Sequence, residues 1–270
     1  MKTLSAFITV IILSIPLVGR TETPPKSPEA VGLAIAIEAD RRDDGFSDFT
    51  ATMQMTLKNR HGDSSIRRLR VKNLEVAGDG DKSLTIFDNP RDVKGTAFLI
   101  FTHKSGPDDQ WLYLPALKRV KRISSSNKSG SFMGSEFAYE DLSSQEVEKY
   151  TYKWLRDEGC PGEEFMELTC FVVERYPVDP NSGYTRQIGW MDTAEYRTVK
   201  IDYYDRKNAP LKTLTIKGYR QYLKKFWRAD EMYVINHQTK KSTLLIWKDY
   251  SFKTGLKTRD FNKNALKRAR

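Results

Sequence analysis

Phe49-Thr50-Ala51-Thr52-Met53-Gln54-Met55-Thr56-Leu57 alternates apolar with polar residues throughout. Successive side chains of a strand point to opposite faces, so this period of two predicts a strand with one face in a core and the other in water. Asn59-Arg60-His61-Gly62-Asp63 is turn chemistry, and residues 65–76 read as the return strand of a hairpin. Working outward, Gly78-Asp79-Gly80-Asp81 gives the next turn, with strands near 83–88, 96–103, 110–114 and 119–124. Later strands are predicted at 150–155, 165–176, 186–191, 196–204 and 211–222, then a last hairpin of 232–238 with 242–252. About a dozen strands in serial hairpins specify a mainly β fold with a meandering antiparallel sheet.

Two segments depart from this rhythm. Ser27-Pro28-Glu29 has the chemistry of a helix start, with Ser as cap, Pro in the first turn and an acid behind it. The helix is expected to run to about Arg42 and to carry a wide apolar stripe of Val31, Leu33, Ala34, Ile35 and Ile37. Residues 124–135 hold six serines and two glycines with Phe132 and Met133 among them, followed by Phe137, Tyr139 and Leu142. A long loop of this kind inside a compact fold is usually functional. A curved antiparallel sheet with the helix on its concave side can enclose an apolar cavity, and the loop reads as a movable gate over it. On this reading, removing the Phe132 and Met133 side chains would abolish ligand binding.

Upstream of the helix, Lys2 followed by a nearly unbroken apolar run from Leu4 to Val18 reads as an export signal over residues 1–20. That run is shorter than the roughly 20 residues needed to span a bilayer. No Cys follows it, so the expectation is a signal peptide cleaved to release a protein free in solution, with residues 21–270 as one domain. The formal charge of +10 includes Lys118, Arg119, Lys121 and Arg122 in one short run. In an exported protein such a run suits contact with an anionic membrane surface or a partner rather than nucleic acid. Cys160 and Cys170 flank a Pro161-Gly162 turn, and a pair of cysteines in an oxidising compartment suggests one disulfide.

Catalytic patterns are scarce. His61, His103 and His237 lack metal-ligand spacing to one another or to a Cys, so no metal site is expected. Gly130-Ser131-Phe132-Met133-Gly134 puts its serine in the wrong place for a nucleophile elbow. Asp79-Gly80-Asp81-Lys82-Ser83 lacks the length and acidic end of a calcium loop. What remains is apolar and aromatic: Trp111, Trp154, Trp190, Trp227 and Trp247 fall on different predicted strands.

Trp111-Leu112-Tyr113-Leu114-Pro115-Ala116-Leu117-Lys118-Arg119-Val120-Lys121-Arg122-Ile123 resembles a segment characteristic of LolA-like outer-membrane lipoprotein-sorting proteins. So does Ser131-Phe132-Met133-Gly134-Ser135-Glu136-Phe137-Ala138-Tyr139-Glu140-Asp141-Leu142. Weaker matches are Cys170-Phe171-Val172-Val173-Glu174 and Tyr203-Tyr204-Asp205 followed by Leu211-Lys212-Thr213-Leu214. The resemblance implies an incomplete antiparallel β-barrel, a half-pipe, with a helix and a loop as lid over a hydrophobic cavity. It implies a monomeric periplasmic carrier of lipid or acylated protein cargo, working without catalysis or cofactor. The alternative it allows is a non-catalytic accessory subunit of an RND-type exporter in the inner membrane. The expected ligand-binding residues are Phe132, Met133, Phe137, Tyr139, Trp111 and Ile35. The expected membrane or partner contacts are Lys118, Arg119, Lys121 and Arg122.

Overall fold

The computed structural model describes residues 27–268. The expected export signal lies outside the described residues. Helix α1 (Pro28–Asp43) starts where its capping chemistry requires, with the Ser27 hydroxyl accepting from the Ala30 N–H at 3.2 Å. Thirteen strands follow: β1 (Asp48–Lys58), β2 (Ser64–Leu74), β3 (Lys82–Asn89), β4 (Ala97–Phe101), β5 (Asp109–Leu114), β6 (Arg119–Ile123), β7 (Tyr150–Gly159), β8 (Thr169–Pro177), β9 (Tyr184–Asp192), β10 (Thr198–Asp205), β11 (Pro210–Tyr222), β12 (Phe226–Asn236) and β13 (Ser242–Phe252). A short helix, α2 (Lys263–Arg268), closes the described chain.

All thirteen strands form one antiparallel sheet in the order β6-β5-β4-β3-β2-β1-β13-β12-β11-β10-β9-β8-β7. The sheet does not close on itself: β6 and β7 are its two edges, giving the expected half-pipe. Those edges are consecutive in sequence, so the segment 124–149 must cross the open side to join them. The Phe49–Leu57 alternation sends Met53 and Met55 to a concave core shared with Leu69, Val71, Phe87 and Phe98. Leu84, Ile86, Ala97, Leu99 and Trp111 point the other way, where Phe261 and Leu266 of the C-terminal segment cover them. Cys160 and Cys170 form a disulfide between the β7–β8 connection and β8, next to Phe165 and Val199.

Helix α1 packs chiefly on the edge strand β7. The approach is close because Gly32 has no side chain: a Cβ there would lie 2.7 Å from the Trp154 backbone nitrogen and 2.9 Å from Lys153 backbone atoms. Only Gly32 and Ile35 of α1 are buried, while Leu33 and Ile37 are exposed, so the wide stripe read from sequence is in fact a narrow one. Gly32→Ala gains about 1 kcal/mol of helix propensity but drives a methyl into backbone that the β7–β8 ladder holds in place. The clash should win, with a net loss of about 1–3 kcal/mol measured by urea unfolding and loosened amide protection confined to α1 and β7.

Candidate functional site

The segment 124–149 forms no strand ladder with the sheet it covers; its one β-bridge, Ser131 with Ala138, is internal. That bridge folds the segment back on itself and turns Phe132 and Phe137 into the concave core. The Phe132 ring is 1% exposed and sits 5.2 Å from Phe98, 5.8 Å from Phe87 and 5.8 Å from Tyr139. Met133 adopts a positive φ of 50° and packs on the same cluster half-buried. The loop read as a gate above an empty cavity therefore fills the concavity with its own aromatic side chains. The physical reason is that an apolar sheet face this wide costs free energy wherever it meets water, and the loop carries the nearest apolar side chains.

Polar side chains from both arms of the half-pipe hold this strap down. From one arm, Arg67 of β2 donates to the Met133 carbonyl, and the Gln110 amide of β5 donates to Tyr139 O at 3.1 Å and Ser143 Oγ at 3.0 Å. From the other, Asn236 of β12 donates to Glu136 Oε2 at 2.7 Å, and Thr243 Oγ1 of β13 accepts from the Glu136 N–H at 3.0 Å. The central contact is ionic. Lys212 Nζ of β11 lies 2.6 Å from Asp141 Oδ2, with both side chains almost fully buried at 4% and 6% exposure. Asp141 also accepts from the Ala138 N–H and the Tyr184 hydroxyl, and burial holds that hydroxyl protonated well above the usual tyrosine range. Lys212 donates to Glu136 O as well and faces the rings of Tyr184 and Tyr203 at 5.2 and 5.0 Å. Further along, Glu140 accepts from Ser182 Oγ and the Gly183 N–H, while Lys128 pairs with Asp179.

A cleft of about 470 Å³ opens beside the strap, where the two sheet edges approach each other. Gln110, Ile123, Lys128, Glu140, Tyr150 and Val178 are among its walls. The Gln110 side-chain oxygen is buried without a hydrogen-bond partner among the described residues.

The far end of the strap meets α1 in an acidic seam. Burial, with the charges of Glu146 and Glu75 next, raises Asp81 to about 7; burial and Asp40 raise Glu146 to about 7. Asp43 adds to the field at Asp81, Glu148 adds at Glu146, and Lys104 and Lys149 oppose it there. The unfolded chain releases these protons near pH 4, whereas the folded chain keeps them to about pH 7. The contribution of these two groups to stability is therefore fully present below about pH 4 and is lost as the pH rises through about 7. Asp81→Asn should raise stability at pH 8 by about 1–3 kcal/mol and shrink the difference between urea midpoints at pH 5 and pH 8.

The structure brings Phe132, Met133, Phe137 and Tyr139 together on the concave face. Trp111 is on the opposite face of β5, 5.1 Å from Phe101 and beneath α2, with Lys263 over its ring at 4.8 Å. Ile35 lies on α1, outside that cluster. The basic run is split. Arg119 and Lys121 share the face of their β5 partners Leu114 and Leu112, which is the concave one. Arg122 shares the convex face with Trp111 and pairs with Asp109, and Lys118 sits in the turn before β6 at a φ of 48°. Sequence reading missed the Lys212–Asp141 pair. Its signal was a lysine at an inward-pointing position of β11, in line with Leu214 and Ile216.

Among the described residues no group of His, Cys, Asp and Glu is arranged to hold a metal ion, and no helix is long and apolar enough to cross a membrane. A family model described as "-like: Uncharacterized protein" matches residues 79–268. No curated protein matches the chain. Among solved structures, a domain from Vibrio parahaemolyticus described as an outer membrane lipoprotein-sorting protein is 61% identical, covering 88% of this chain and 98% of that one at a TM-score of 0.84. A DUF1329 family protein from Desulfovibrio piger is 28% identical, covering 89% and 100% at a TM-score of 0.82. A LolA superfamily protein from Nitrosomonas europaea, 18% identical over 87% and 98% of the two chains, shares the fold at a TM-score of 0.68. By sequence identity and by its half-pipe, the chain belongs to the LolA-like family of outer membrane lipoprotein-sorting proteins.

Proposed function

We propose that this protein is a periplasmic carrier that takes the acyl chains of a lipoprotein or lipid onto the concave face of its half-pipe. One observation carries the reading: a continuous apolar sheet face is covered by a strap that makes no ladder with it. Ladder hydrogen bonds would tie such a cover to the fold; side-chain contacts let it lift while the sheet stays whole. An acyl chain gains about 0.8 kcal/mol per buried CH₂, so a dozen methylenes supply about 10 kcal/mol toward displacing the strap. Phe132, Met133, Phe137 and Tyr139 then fill the face when no cargo is present and line the acyl chain when it is. Lys118, Arg119 and Lys121 on the β6 edge would meet anionic headgroups during exchange.

This reverses the sign of the mutational test expected from sequence. Phe132→Ala leaves space that cargo otherwise has to win, so a fluorescent fatty acid should bind the variant more tightly than the wild type. Gentle purification followed by lipid mass spectrometry should recover a bound amphiphile. No uptake by either protein, and no recovered amphiphile, would retire the carrier in favour of an exporter accessory acting by protein contact.

A further inference from the structure

A second cavity, of about 410 Å³, lies beneath the C-terminal half of α1, between it, the β9–β10 turn and the facing ends of β11 and β12. Six cationic side chains line it: Arg41, Arg42, Arg197, Lys224, Lys225 and Arg228. Only two carboxylates do, Asp43 and Glu195. Internal pairing leaves positive charge over. Arg197 is matched by the fully buried Asp192 at 2.8 Å, and Arg228 by Asp43 at 2.5 Å. Arg41 and Arg42 share a single carboxylate, that of Glu38, at 2.7 and 2.8 Å. Lys225 donates to a neutral carbonyl, that of Asp44, and Lys224 has no hydrogen bond or ion pair with any described residue. Glu195 is turned to the Trp227 indole N–H at 3.1 Å.

We propose that this pocket binds the phosphoryl group of an anionic amphiphile. Like charges gathered around a cavity repel one another, and an anion between them relieves that repulsion. Glu38 occupies Nε and Nη2 of Arg41, and Glu38 and the Ala194 carbonyl occupy Nε and Nη1 of Arg42, which leaves Nη1 of Arg41 and Nη2 of Arg42 as donors for phosphate oxygens, with the two lysines as point charges. The negative end of the α1 dipole opposes an anion here, but its cost of about 0.3–1 kcal/mol is small beside several charge-assisted hydrogen bonds. The pocket also adjoins the apolar face. Tyr219 lines the pocket and packs on the concave core, and Ala229, two residues beyond Trp227, belongs to that core. A headgroup under α1 thus leaves its acyl chains beside the surface that the strap covers. The acyl half of this geometry rests on the carrier reading; the anion site does not.

Calorimetry with three probes separates the two: dihexanoylphosphatidic acid, the neutral dihexanoylglycerol, and inorganic phosphate. The full chain should prefer the acid over the neutral lipid by about tenfold or more, and Lys224→Asn/Lys225→Gln should erase that preference. Both lysines are exposed, so the variant keeps its fold, and Lys224→Arg/Lys225→Arg should retain the preference. Equal binding of acid and neutral lipid by the wild type overturns the anion site and leaves the carrier standing. Phosphate binding that the lysine variant loses, without uptake of either lipid, upholds the anion site for free phosphate and overturns its assignment to a lipid. Silence from all three overturns both.

Discussion

Phe132→Ala is expected to destabilise the protein by about 3–5 kcal/mol, measured as a fall in the urea midpoint with the slope unchanged. The ring is fully buried and in contact with three other aromatic rings, so the mutation loses its transfer free energy and the ring pairs together. The cavity left behind cannot easily collapse. Phe87 and Phe98 sit on β3 and β4, which are paired to each other and fixed by the ladder, and only the strap can move inward. Leu117→Ala serves as control: its side chain is exposed in the turn before β6 and should change stability by less than about 0.5 kcal/mol. A small effect at Phe132 would mean that the ring spends much of its time outside the concavity. The same variant is predicted to bind acyl chains more tightly, so stability and affinity should move in opposite directions.

The other large effect is at the buried ion pair. Lys212→Met should cost about 3–5 kcal/mol, because it strands the Asp141 carboxylate beneath the strap without a counter-charge. Lys212→Met/Asp141→Asn removes the uncompensated charge while keeping an oxygen to accept from the Ala138 N–H. The double variant should recover at least half of the loss, and a double-mutant cycle measures the coupling. If single and double variants lose equally, the pair matters for packing alone. Because Asp141 belongs to the strap and Lys212 to the sheet, the single variant should also raise proteolytic cleavage within 124–149 ahead of the strands.

β1 was legible because its apolar alternation runs unbroken from Phe49 to Leu57, its neighbours because turn residues bound them, and the helix start because Ser27 and Pro28 cap in the ordinary way. The N-terminal half of β12, Phe226–Glu231, escaped notice: Trp227, Arg228 and Asp230 take side-chain partners from other elements, Glu195, Asp43 and Arg220, so the segment shows no apolar alternation. Phe165 looked like strand but sits in a short 3-10 turn against the disulfide. Trp111 was drawn into the candidate site because an aromatic count carries no information about faces; the register of β5 with β4 and β6 decides that. The strap was legible as an anomaly, but its serines suggested mobility. What holds it down comes from residues far away in sequence, such as Lys212 and Asn236, and no local pattern reports those contacts.

The pairing of β1 with β13 has a consequence for how the protein comes into being. Phe49 lies opposite Phe252, so the bond between the two halves of the sheet closes a loop of most of the chain. Every other strand pairs with a neighbour in sequence and can zip up locally as a hairpin. The N-terminal meander, β1 to β6, can therefore assemble early with β1 unsatisfied along its outer side, and it must wait for the last strand to arrive. During that wait β1 is an open template for another copy of the chain. Truncation before β13 should accordingly yield aggregation rather than a smaller soluble fold, and a kinetic trap, if the protein has one, is to be sought at this junction and not at the strap.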